Sequence, residues 1–374
     1  MNMFKKYLDN EQLDFQINRF MEPYLHSNQV QVQIKQSCDR IFDLEDWYVE
    51  WSNLGKKSQE NEQFELATAY YNLADFFLPE SDPRKEITYK LIKKNFYKSI
   101  DGYCNLEFLQ IPYEGLELPV AIIKNKNAKK WLVFHGGFDS YIEELIRLSI
   151  SYLSNLTNYN IVMFEGPGQG LPLKQGLTMT HQWEKPVSAV LDYLNLEEVT
   201  LMGMSLGGYL ALRAAAFDNR VKTVIAFDTF YCMMDSFLMK APAGLTEIPD
   251  LSQPGVRSKF DVMVDQYAND NIDLQFKLTK AKEILGKSTI SEVLINLKDF
   301  TLEGIEKNIT QNVLLLAGND DMYVPTYRTG FLQSKLTEAS KIETVLFTRK
   351  DGGEKHCQVG GKQLAFDKII EFIK

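Results

Sequence analysis

Histidine is scarce in this chain, with four in 374 residues at positions 26, 135, 181 and 356. So thin a supply argues against a multi-histidine metal centre and lets each imidazole be weighed individually. Cysteine is equally thin: Cys38, Cys104, Cys232 and Cys357 are widely spaced, with no Cys-x-x-Cys pair. That spacing suggests neither a disulfide framework nor a thiolate metal site. Basic charge is short too, since 41 Lys and Arg face 50 Asp and Glu for a net charge of −9. A nucleic-acid partner needs a dense basic face, which this balance argues against. Long apolar runs are missing. The longest charge-free candidate, Val199 to Leu212, is stopped by Arg213, holds three glycines and is too short to span a bilayer. The amino terminus turns acidic at Asp9 before an apolar leader could form. The expectation is a cytoplasmic protein without a membrane partner.

What is present is a normal globular composition, 45% hydrophobic, in two regimes. Residues 1–100 contain a single glycine, Gly55, and place aromatic residues at helical spacing. Trp47, Trp51 and Leu54 fall at i, i+4, i+7, and Phe64, Ala67, Tyr71, Ala74 and Leu78 continue the pattern after a polar break at 56–61, before Pro79 and Pro83. The reading is an α-hairpin. Trp51, Leu54, Gly55, Ala67, Tyr71, Ala74 and Pro79 also match the spacing of one tetratricopeptide unit. No second copy follows, and one unit cannot build a solenoid.

From about residue 103 short apolar strands alternate with helical stretches. Strands are expected at Asn105–Ile111, Leu118–Ile123, Trp131–Phe134, Ile161–Phe164, Val199–Gly203, Val221–Phe227, Val313–Ala317 and Thr344–Phe347. Helical patterns follow most of them, so the fold class is α/β, with a mostly parallel eight-stranded sheet flanked by helices. Residues 229–309 break the rhythm with a mostly helical pattern between two core strands. The expected organisation is a helical N-terminal region at 1–100, a core at 101–228 and 310–374, and a helical cap at 229–309.

One short stretch carries the chemistry. Gly203-Met-Ser-Leu-Gly207 follows a strand and opens an apolar helix. A nucleophile held at such a strand–turn–helix tip needs a strained backbone, and flanking glycines relieve the crowding. Ser205 would then stand exposed, with the N–H of Leu206 and the positive helix end aimed at a developing oxyanion. A serine at its free pKa needs a base. In this arrangement the partners follow in the order serine, acid, histidine, and His356 is the one histidine after the serine. The acid should follow the strand between them, where Asp320 and Asp321 stand side by side. Asp321, three residues before Val324-Pro325, is favoured to orient the imidazole, with Asp320 as a turn residue. The second oxyanion donor should come from His135-Gly-Gly-Phe138, through the N–H of Gly137 or Phe138, with His135 organising the loop. A further Gly-rich turn, Glu165-Gly-Pro-Gly-Gln-Gly170, lacks the phosphate-loop endings and reads as pocket wall, with Glu165 a candidate substrate contact.

Taken together, the His-Gly-Gly, Glu-Gly-Pro-Gly-Gln-Gly, Gly-Met-Ser-Leu-Gly-Gly, Asp-Asp-Met-Tyr-Val-Pro and Glu-Lys-His-Cys segments resemble an α/β-hydrolase over residues 103–374. More narrowly, they are similar to prolyl-oligopeptidase- and acylaminoacyl-peptidase-like enzymes, fermentation–respiration-switch-type esterases and the dihydroxypseudooxynicotine hydrolase group. The helical N-terminal region also resembles the last group. The resemblance implies the triad Ser205, Asp321 and His356. In the carbon–carbon hydrolases it also implies a further acid near the His-Gly-Gly loop, here Asp139 or Glu143. The chain has none of the β-propeller usual in oligopeptidases, which weighs against peptidase action. In the cap, Phe230, Tyr231, Met233, Met234, Phe237 and Met239 are expected to line an apolar acyl pocket, with Tyr231, Met234 and Phe237 as candidate substrate-binding residues.

The expected function is a serine hydrolase cleaving an ester or acyl bond through an acyl-enzyme, without cofactor or metal. Its partner would be a small acyl or ester molecule or a short peptide. An acylaminoacyl- or oligopeptidase-like activity, carbon–carbon hydrolysis and an inactive interaction scaffold are the competing readings, and a homo-oligomer stays open.

Overall fold

The computed structural model describes residues 4–103, 105–239, 247–269 and 271–374, so Cys104 lies outside the described residues. The chain divides into two compact units, Met1–Cys104 and Asn105–Lys374.

The first unit is helical but is more than a hairpin. Its helices are Glu11–Met21, Asn28–Cys38, Leu44–Glu60, Phe64–Phe76 and Pro83–Ser99. Side-chain caps start four of them, through Asn10, Ser27, Asp43 and Asp82. The polar stretch at 56–61, expected as a break, is helical through Glu60 because lysine, glutamine and glutamate are good helix formers. The chain turns only at Glu62, whose φ is 59°. Pro83 opens a helix at its first turn, where the missing N–H costs nothing. Trp47 and Trp51 are fully buried, edge-to-face at 5.4 Å, and Trp51 stacks on Tyr70 at 6.0 Å.

The second unit carries an eight-stranded sheet. Its strands are β1 (Leu106–Tyr113), β2 (Leu116–Ile123), β3 (Lys130–His135), β4 (Tyr159–Phe164), β5 (Val199–Met204), β6 (Val221–Phe227), β7 (Asn312–Gly318) and β8 (Lys341–Phe347). They lie in the order β1-β2-β4-β3-β5-β6-β7-β8. β1 pairs antiparallel with β2 across the Glu114–Gly115 turn, and β2 pairs antiparallel with β4; every other pairing is parallel. Every residue of β4 and β5 is buried, as the middle of a sheet covered on both faces requires. Helices Ile142–Tyr152, Glu184–Tyr193, Gly207–Phe217, Tyr327–Lys335 and Lys362–Ile373 supply the cover. The eight expected strands and the α/β class are therefore the observed ones.

Between β6 and β7 lie helices Met234–Leu238, Pro254–Ala268, Ile272–Leu285 and Ile290–Leu297. Ala281, Ile284, Val293 and Leu297 of this insertion are buried in the same apolar core as β5 and β6. Its two ends are tied together: Met233 N–H donates to Phe300 O at 3.0 Å, and Leu302 N–H donates to Tyr231 O at 3.0 Å. No helix among the described residues is long and apolar enough to cross a membrane.

Candidate active site

The parallel strands point their carboxyl ends to one edge, and the chain order reverses where β3 lies between β4 and β5. Open α/β sheets bind ligands at such a switch point. Residues following β3, β5, β6, β7 and β8 meet there.

Ser205 follows β5 with φ 62°, a left-handed conformation that costs a side-chain-bearing residue energy. Its N–H donates to Phe227 O at 2.5 Å, and its carbonyl accepts from Gly208 N–H at 2.9 Å, so the turn is held from both sides. The sharpness of the elbow dictates glycine at 203, because a Cβ there would lie 1.8 Å from the Gly207 carbonyl oxygen.

His356 is 4% exposed and sits in the connection between β8 and the last helix. Its Nε2 is 2.8 Å from Ser205 Oγ, and its Nδ1 is 2.7 Å from Asp321 Oδ2. The other Asp321 oxygen accepts from the N–H groups of Tyr323 at 2.7 Å and Val324 at 3.0 Å, which anchors the carboxylate. Of the adjacent pair, the structure therefore brings Asp321 to the imidazole. Asp320 turns out to an ion pair with Lys355 at 2.7 Å.

A second carboxylate reaches the same nitrogen. Asp228, fully buried at the end of β6, places Oδ2 2.9 Å from His356 Nδ1. It also accepts from Cys357 N–H at 2.5 Å and Gln358 Nε2 at 2.8 Å. Asp228 stands one residue before the expected cap boundary at Thr229 and is not among the candidate residues the motifs single out. The available signal was an acid immediately after a core strand. Burial opposes a charged imidazole, but the neighbouring carboxylates, Asp321 foremost, outweigh it, and the His356 pKa stands well above the usual histidine value. Burial and the nearby Asp228 raise Asp321, against the pull of His356. Asp228 is held below the usual carboxylate range because His356 and its amide donors outweigh its burial.

The loop after β3 is braced from behind. Gln169 Nε2 donates to Gly136 O at 3.0 Å and Gly137 O at 2.8 Å, while its Oε1 accepts from Gly166 N–H at 2.9 Å. In trans peptides the N–H points opposite the preceding carbonyl, so those of Gly137 and Phe138 face away from Gln169. Gly137 runs against the elbow, where a Cβ would sit 2.7 Å from the Leu206 nitrogen. His135 is fully buried, and its Nδ1 is 2.9 Å from Gly136 O. A carbonyl only accepts, so Nδ1 carries the proton and Nε2 accepts from Trp183 Nε1–H at 3.3 Å. Burial pushes this imidazole down to about 4, which keeps it neutral.

The remaining expected residues fall differently. Glu165 is 1% exposed, and its oxygens accept from Ile142 N–H at 2.7 Å and Leu171 N–H at 2.8 Å. Its carboxylate clamps two loops, so the expected substrate contact gives way to a main-chain role. Glu143, also buried, lies in the first turn of Ile142–Tyr152. Tyr231 donates to Glu306 Oε1 at 2.8 Å and lies under the Arg328 guanidinium, while Met234 and Phe237 pack into the apolar core. The rings against His356 belong to Tyr323, at 4.8 Å, and Phe230, at 5.9 Å, both nearly perpendicular to it. Asp228, His356 and Cys357 are also close enough together to hold a metal ion. His356 is, however, already engaged with Ser205 and two carboxylates.

No family model matches the chain. It is 26% identical over 329 residues to the alpha/beta hydrolase gkaG of Penicillium citrinum, covering 78% of this chain and 76% of that one. It is 25% identical to the 20-hydroxy-prefusarin hydrolase of Gibberella moniliformis, covering 88% of each. Among solved structures, 2,6-dihydroxy-pseudo-oxynicotine hydrolase superposes with a TM-score of 0.66 at 18% identity, covering 87% of this chain and 88% of the other. The chain therefore has the α/β-hydrolase fold and is similar along most of its length to these curated hydrolases.

Proposed function

We propose that this protein is a serine hydrolase cleaving an ester or related acyl bond of a small molecule or short peptide. The observation that carries the reading is the unbroken hydrogen-bonded line from Asp321 through His356 to Ser205, ending at a strained elbow in front of a helix start. His356 Nε2 takes the Ser205 proton as Oγ attacks the substrate carbonyl carbon. The N–H groups of Leu206 and Gly137 stabilise the oxyanion. His356 then returns the proton to the leaving group, the carbon–leaving-group bond breaks, and an acyl-serine remains. Water, deprotonated by the same imidazole, releases the acid. Asp321 holds the imidazole orientation and stabilises the imidazolium. Every step uses side chains and backbone already in place.

A fluorophosphonate probe tests this reading. The wild type should label at one site, and Ser205→Ala should not label. In a p-nitrophenyl ester assay Ser205→Ala and His356→Ala should each lose on the order of 10⁶-fold in kcat. A folded wild type that resists the probe and spares every ester overturns the proposal. Running aminoacyl naphthylamides and a β-diketone beside the esters ranks the bond classes.

A further inference from the structure

The imidazole of His356 is bracketed by two buried carboxylates, whereas the mechanism above uses one. Resting on the Ser205–His356 reading, we infer that Asp228 is a second acid of the site, a positioning residue that shares the Nδ1 proton of His356 with Asp321. The geometry carries it. Asp321 and Asp228 lie 2.7 and 2.9 Å from the same nitrogen, both within hydrogen-bond distance, and Nδ1 has one hydrogen to give.

Each carboxylate is independently anchored and arrives on a different strand end. Asp321 is held by the N–H groups of Tyr323 and Val324 in the loop after β7. Asp228 is held by Cys357 N–H and the Gln358 amide at the end of β6. Losing one anchor leaves the other intact. The hydrogen bonds from Cys357 and Gln358 also tie Asp228 to the backbone that presents His356, so the acid orients the ring from its own segment as well as through Nδ1.

The charge balance around the ring follows from its neighbours. Facing it are Asp228 from β6, Asp321 and the Tyr323 ring from the β7 loop, Ser205 from the elbow, Phe230 from the cap, and Cys357 beside it in the chain. Lys277 of the cap helix Ile272–Leu285 is one shell further out, 5.2 Å over the Tyr323 ring, and pairs with Asp273 at 2.8 Å. Two carboxylates therefore meet one imidazole. The second negative charge makes His356 a stronger base and its imidazolium harder to discharge, so kcat/KM should rise with pH along an alkaline limb.

The test combines activity with a direct titration of the ring. His356 is titrated by ¹⁵N NMR in the wild type, Asp228→Asn, Asp321→Asn and the double variant, and kcat and KM of each are followed with a p-nitrophenyl ester against pH. A shared proton predicts that each single variant lowers the His356 pKa, and that Asp228→Asn moves the kcat/KM limb to lower pH with KM unchanged. Asp321→Asn should lose on the order of 100-fold or less, because Asp228 still accepts from Nδ1. The double variant should fall to the roughly 10⁴-fold loss typical of a triad without its acid. Should Asp228→Asn not fold, Asp321→Asn alone decides: a full 10⁴-fold loss overturns the inference. An Asp228→Asn protein that melts lower but titrates His356 as the wild type does also overturns it. The NMR readout needs no substrate, so these outcomes stay separate from failure of the probe to label the wild type.

Discussion

Gln169 gives the site its most exposed point of failure. Its amide, 1% exposed, is the shared brace of two loops: it donates to the Gly136 and Gly137 carbonyls and accepts from Gly166 N–H. Gln169→Leu keeps the volume and deletes all three hydrogen bonds. Gly136 O keeps His135 Nδ1–H as a donor, so two main-chain groups, Gly137 O and Gly166 N–H, lose their brace. Each buried group stripped of its partner costs about 1–3 kcal/mol, so the two together predict a loss of roughly 2–6 kcal/mol in stability. Catalytically, the peptide carrying the Phe138 N–H is freed to rotate, and the Gly137 N–H moves with its loop. Removing an oxyanion donor outright costs about 10²–10³ in kcat, so a misdirected one should cost about 10–100-fold. KM should be nearly unchanged, because that donor acts mainly on the charge that develops in the transition state. Urea unfolding and steady-state ester hydrolysis on the same preparation measure both effects. A variant destabilised as predicted but with wild-type kcat would refute the link between this brace and the oxyanion site.

Three further perturbations follow from the same geometry. His135 titrates at about 4 in the fold, against about 6.5 when unfolded, so between those values the unfolded chain binds the extra proton and stability falls as pH drops. The slope approaches about 1.4 kcal/mol per pH unit and totals about 3 kcal/mol, and urea midpoints from pH 7.5 to 4 should steepen in the wild type relative to His135→Asn; equal slopes would contradict it. Gly203→Ala drives a Cβ into the Gly207 carbonyl, so the elbow must open; about 1–3 kcal/mol of stability and on the order of 100-fold in kcat should go, and unchanged fluorophosphonate labelling would count against it. Arg328 grips Asp235 with two contacts of 2.7 and 2.8 Å; Arg328→Leu should cost about 3 kcal/mol by stranding that carboxylate, and adding Asp235→Leu should recover most of it in thermal melts.

What could be read from the sequence divides along a physical line. Apolar periodicity is local, and it located all eight strands to within a few residues. The elbow glycines are local too, since a side chain at 203 collides with a residue four positions on. Chain order then led to His356, and the Val324-Pro325 spacing favoured Asp321 over its neighbour. The first unit was read less fully. Its second helix buries only Val30, Ile34 and Cys38 among its apolar residues, and its first buries Gln12, Asp14, Gln16 and Asn18 between Leu13, Phe15, Ile17, Phe20 and Met21, which blurs the apolar stripe. Asp228, Gln169 and Tyr323 are another matter. Each acts on a partner that the fold brings in from elsewhere, the Asp228 carboxylate meeting a backbone N–H 129 positions away and the Gln169 amide a carbonyl 33 positions away. Spacing does not encode such pairs; strand order does. In a parallel sheet the residue just past each carboxyl end is delivered to one edge, whatever motif surrounds it. A polar residue there, as Asp228 is after β6, warrants attention before any residue chosen by composition: of the cap side chains chosen that way, Tyr231 is engaged by Glu306 and Phe237 packs in the apolar core, while Phe230 lies against His356.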